Sequence, residues 1–140
     1  METVHSARSR LRFDGLDHVT TPDGSGRVSV RLECEGQWFE GTVPCLQTQQ
    51  GVIKAASRAA LIATLASISG QPVTLDVLGI KAVRAFDGWV VVTRLSGHLG
   101  GRAYRLLGAA PCEQEEDLPS AAVRAVLNAS NRLVEQGVAR

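Results

Sequence analysis

Ala55-Ala56-Ser57-Arg58-Ala59-Ala60-Leu61-Ile62-Ala63 recurs sixty-six positions later as Ala121-Ala122-Val123-Arg124-Ala125-Val126-Leu127-Asn128-Ala129. Each copy follows a Gly-x-x-Pro-Cys segment, Gly41 to Cys45 and Gly108 to Cys112. An Ala- and Leu-rich run at helical spacing, placed twice after the same motif, points to one unit used twice. Upstream of the first copy, Val28, Val30, Leu32 and Cys34 alternate with Ser29, Arg31, Glu33 and Glu35, the period of a strand with one buried face. Glu35-Gly36 then makes a tight turn, and a further strand runs from Trp38 to Val43, with Pro44 marking its exit because it has no amide hydrogen to give. Leu11, Phe13, Leu16 and Val19 form a broken alternation that suits a first strand with a bulge near Gly15, joined to the next by the turn Pro22-Asp23-Gly24-Ser25-Gly26. The helix is predicted from Gln49 to Ile68 and is ended by Gly70-Gln71-Pro72.

The second half repeats this order. Val73, Leu75, Val77, Ile80 and Val83 mark a long strand interrupted at Gly79; Asp87-Gly88 is a hairpin turn, and Trp89 to Leu95 is the next strand. Gly97 to Gly101 reads as a longer turn than its counterpart, Ala103 to Ala109 as the third strand, and Leu118-Pro119-Ser120 as the start of a helix reaching about Glu135. The expected fold is therefore α+β: a duplicated β-β-β-α unit with mostly antiparallel pairing, helices on one face of each sheet and a pseudo-two-fold relation. Residues 1–10 are expected to be a disordered leader, 11–136 a single domain of two repeats (11–70 and 71–136), and 137–140 a tail. Units of this size are too small to bury their own apolar faces, so the two should pack as one body.

With 44% hydrophobic and 21% charged residues the composition is that of an ordinary globular chain. A net charge of +1 gives no long-range attraction to nucleic acid or anionic lipid. No apolar run is long enough to span a bilayer, and Met1 to Ser6 lacks the layout of a signal peptide, so a cytoplasmic location with no membrane partner is expected. Three cysteines, an odd number, read as reduced small hydrophobes.

The two helices differ on one side. In the second, Leu118, Ala122, Ala125, Ala129 and Leu133 form an apolar stripe, and Arg124, Asn128, Arg132 and Glu135 a polar back expected to face water. In the first, Arg58 is followed at the same spacing by Ile62 and Leu65, so the back turns apolar. Arg58, Ile62 and Leu65 are thus candidates for a subunit interface, or for burial by the other repeat.

Candidate chemistry is sparse. Cys45 and Cys112 are equivalent but isolated, and His5, His18 and His98 lack ligand spacing, so no metal or other cofactor is expected. Neither cysteine is tied by sequence to a basic partner, as a nucleophile would need. P-loop, dinucleotide-binding, GxSxG and HExxH signatures are absent. The acidic run Glu113 to Asp117 is accounted for by the helix start that follows it.

Between residues 121 and 133 the sequence Ala-Ala-Val-Arg-Ala-Val-Leu-Asn-Ala-Ser-Asn-Arg-Leu resembles the end of the C-terminal regulatory domain of 2-isopropylmalate synthase and citramalate synthase. That domain is also a duplicated strand-strand-strand-helix unit; it dimerises and binds an end-product amino acid. The resemblance implies a non-catalytic regulatory or small-ligand-binding module over about Leu11 to Val134, acting as a homodimer with an amino acid as effector. No catalytic barrel precedes it in the chain, so synthase activity is not expected. Gly41-Thr42-Val43-Pro44-Cys45 stands near the place of the family's usual Gly-Pro-x-Asp-Ala link, and Gly41, Cys45, Gly108 and Cys112 are the candidate ligand-binding residues. The alternative is a protein-interaction or scaffold element with a protein partner and no small ligand. Ranked below these are a small cysteine-dependent enzyme and an RNA-binding module using Arg58, Arg124 and Arg132.

Overall fold

The two copies of the Ala-rich segment are the hearts of two helices. A computed structural model describes residues 11–68, 70 and 72–139, without the side chains of 132 and 134–139; the expected leader and the final residue lie outside the described residues. Three strands, β1 (Arg12–Thr20), β2 (Gly26–Cys34) and β3 (Gln37–Cys45), precede helix α1 (Gln49–Ser67). Three more, β4 (Val73–Ala85), β5 (Gly88–Leu99) and β6 (Arg102–Cys112), lead through a single 3-10 turn (Glu115–Asp117) into α2 (Leu118–Ala139), which runs beyond the expected end near Glu135. Each triplet forms an antiparallel sheet in sequence order, β1-β2-β3 and β4-β5-β6. The fold is α+β and duplicated.

Register shows how closely the halves correspond. β1 slips against β2 between Phe13 and Gly15, and β4 slips against β5 between Val77 and Gly79, so Asp14 and Leu78 are the extra residues of equivalent bulges. The second bulge is anchored by Thr93, whose buried hydroxyl donates to the Gly79 carbonyl at 3.0 Å. In the first, Arg31 reaches back to Asp14 at 3.3 Å.

Three local expectations are corrected. β3 does not stop before Pro44 but continues to Cys45, with Pro44 opposite Arg27, and β6 likewise passes Pro111. Both are edge strands, where a proline can turn its missing amide away from the sheet. Gly97 to Gly101 is not a long turn: Gly97, His98 and Leu99 stay in β5, and only Gly100 and Gly101 turn, with φ of 59° and 85°. That matches the Glu35-Gly36 turn, φ 53° and 82°. Gly97 sits inside the strand under two leucine side chains, a Cβ there lying 3.0 Å from Leu75 and 3.1 Å from Leu133. The β4–β5 turn is centred on Phe86 and Asp87, one residue earlier than expected, both with positive φ.

α1 lies across β2 and β3 and reaches β4; α2 lies across β5 and β6 and reaches β1; the helices also pack on each other. One contiguous apolar cluster draws on both halves, from Val28, Val30 and Leu32 through Ile53 and Ala56 to Leu95, Val123 and Val126. Alanine permits this close packing. Thr64 and Ser130, fully buried at equivalent helical positions, each satisfy their hydroxyl on the carbonyl four residues back, Ala60 and Val126, at 2.8 Å. Of the expected wet back of α2, Arg124 and Asn128 are exposed, while the side chains of Arg132 and Glu135 lie outside the described ones.

Candidate functional site

The two helices start side by side. Thr48 caps α1, its hydroxyl accepting from the Gly51 amide at 2.9 Å, and Gln49 in the first turn hydrogen-bonds Glu115 in the turn that leads into α2. Between these starts and the end of β1 lies a cleft of about 530 Å³. Its floor is apolar, made by Val52, Ile53 and Leu118, all buried. Its rim is polar: His18 and Thr20 from β1, Gln47 and Thr48 from the link after β3, Gln49 from the first turn of α1, and Glu115 and Glu116.

Gln47 organises one wall. His18 Nε2 donates to its Oε1 at 2.8 Å, and its amide nitrogen donates to the Thr20 hydroxyl at 2.7 Å. Gly26 gives the amide its room, since a Cβ there would come within 2.7 Å of it. The cleft therefore offers carboxylates on one side, an imidazole and amide network on the other, two helix N-termini and a greasy floor. Among the described residues no group of three or more His, Cys, Asp or Glu side chains is placed to hold a metal.

None of the four candidate ligand residues lines this cleft. Gly41 and Gly108 serve packing: a Cβ on either would lie 2.1 Å from a helix carbonyl, Ala59 O or Ala125 O. Each glycine is where a helix backbone rests on its sheet. Cys45 and Cys112 end the edge strands, half-buried, with Cys45 Sγ 3.7 Å from Gln47 Oε1 and Cys112 Sγ donating to the Gln114 carbonyl at 3.4 Å. Burial holds both thiols, and that of Cys34, above the ordinary value; at Cys112 the Asp117 carboxylate adds to this and Arg124 opposes it. All three are protonated and weakly nucleophilic at neutral pH. The rim residues stand just beyond the cysteines, Gln47 to Gln49 after Cys45 and Glu115-Glu116 after Cys112, a position the repeated motif pointed towards without reaching.

Arg58, Ile62 and Leu65 come together on a second surface. They line a groove of about 560 Å³ between the edges of the two sheets, with Thr42 to Pro44 of β3 on one side, Leu75 to Val77 of β4 on the other, and Leu61 in the floor. Ile62 is 45% exposed and Leu65 partly buried. The equivalent stripe of α2 is engaged differently. Arg124 stacks over the Phe13 ring at 5.3 Å, and Asn128 Oδ1 accepts the amide of Ala109 on edge strand β6 at 3.1 Å. Of the tryptophans, Trp38 is exposed at 57% with Arg31 5.9 Å from its ring centre, while Trp89 is half-buried against the core with Arg84 at 5.1 Å.

No protein-family model matches the chain, and comparison with curated proteins finds no similar sequence. Fold and surfaces define a class: a duplicated β-β-β-α module with a cleft at its paired helix starts. No described helix is long and apolar enough to cross a membrane.

Proposed function

We propose that this chain is a non-catalytic regulatory module that binds a small ligand in the cleft at the paired helix starts and acts as a homodimer. The observation that carries this is the cleft's make-up: three buried apolar residues under a rim holding His18, Glu115, Glu116 and a fixed glutamine. Such a site suits an amino acid with an aliphatic side chain. Its ammonium would face Glu115 and Glu116, its carboxylate would meet the helix starts and the polar wall, and its side chain would cover Val52, Ile53 and Leu118. Both repeats contribute, so occupancy would bear on how the halves sit together, as an effector requires. Three cysteines kept as thiols accord with a cytoplasmic setting.

Thermal unfolding against a panel of free amino acids tests the proposal. A ligand that binds only the native state at a hundred times its dissociation constant adds about 2.7 kcal/mol. Aliphatic amino acids are expected to raise the melting temperature and Gln47→Ala to abolish the rise. A panel with no shift leaves the scaffold alternative, which the open groove over α1 favours.

A further inference from the structure

We infer that a second copy of this chain covers the groove over α1 across a two-fold axis, with Arg58 of each copy facing the partner subunit's Asp76. The inference rests on the homodimer reading and assigns it a surface. The chain carries its own reference for this surface, since the sheet edges approach twice. Where β6 and β1 flank α2, the gap is closed from within: Arg124 stacks on Phe13, and Asn128 takes the outward amide of Ala109. Where β3 and β4 flank α1, Ile62 stands in place of Asn128 and Leu65 in place of Asn131, and no described side chain takes the amide of Thr42, the counterpart of Ala109. The second gap is left apolar and open.

Charge selects the occupant. Arg58 rises from the helical floor and Asp76 from the β4 wall of the same groove; both are exposed, and neither forms an ion pair within the chain among the described residues. A groove with one cation, one anion and an apolar middle is complementary to itself under a two-fold rotation, because each charge meets its opposite while Ile62 meets its own copy.

Opposite charges introduced separately give the test. Arg58→Asp and Asp76→Arg each place like charges across the axis and are expected to weaken a dimer by about 100-fold or more, giving monomers by light scattering at tens of micromolar. Mixed in equal amounts, the two variants are expected to form a heterodimer. The carboxylate introduced by Arg58→Asp then meets the guanidinium introduced by Asp76→Arg, and at the other end of the axis the unaltered Arg58 meets the unaltered Asp76. An ion pair within one chain would give no such rescue. A wild-type monomer under these conditions overturns the homodimer and this surface together, and leaves ligand binding standing. A wild-type dimer that persists in both single variants, or single variants that stay monomeric on mixing, overturns this surface alone.

Discussion

Gly41 and Gly108 let each helix rest directly on its sheet. Each glycine sits in an edge strand beneath a helix carbonyl, and a methyl group there would meet Ala59 O or Ala125 O at 2.1 Å, well inside van der Waals contact. The obstacle is backbone, which cannot swing aside, so the helix must lift from the sheet. Gly41→Ala and Gly108→Ala are each expected to cost about 3 kcal/mol, the upper part of the usual overpacking range, measured by urea unfolding. Gly26→Ala is a contrast, since its clash is with the end of the Gln47 side chain and should disturb the cleft with little loss of stability. The glycines were visible in the repeated Gly-x-x-Pro-Cys motif, but as candidate ligand contacts. A glycine required by a neighbouring backbone and one required by a ligand look alike until the neighbour is placed.

At the scale of elements, turns and bulges were the most legible features, because their chemistry is local. Gly15 announced the first bulge, Gly79 an interruption that proves to be the second, and Pro22 to Gly26 the first hairpin. In that hairpin Asp23 accepts from the hydroxyls of Thr21 and Ser25 and from the Ser25 amide, which pulls its carboxyl from 3.8 down to about 2, the Thr21 hydroxyl contributing most. A carboxyl lowered on folding supports the turn above its free value and loses that support as pH falls through the folded one. The Ser25 amide resonance is therefore expected to hold steady down to about pH 3 and to move with a midpoint near pH 2, with Asp23→Asn removing the titration. Strand ends were less legible than turns. Pro44 and Pro111 break a ladder only when they face a neighbouring strand, and these two face outward.

For the whole molecule, the shared core is what makes the duplication one body. Ala56, Ala60 and Ala63 of α1 and Ala122, Ala125 and Val126 of α2 are fully buried, in helices that pack on each other as well as on their sheets. Residues 11–70 or 71–136 alone would leave one side of a helix bare, and each fragment is expected to give a poorly dispersed amide spectrum where the full chain gives a single cooperative transition. The sequence by itself determined the duplicated β-β-β-α plan, the helix cores and the difference between the two helix backs, because periodicity and glycine chemistry act within a few residues. Only the tertiary structure decided that Arg124 and Asn128 are engaged by β1 and β6 while Arg58 and Ile62 line an open groove, and that Gln47, Glu115 and His18 share one cleft. The physical reason is distance along the chain: Phe13 meets Arg124 and Gln49 meets Glu115 only after two separate sheets have closed around one pair of helices.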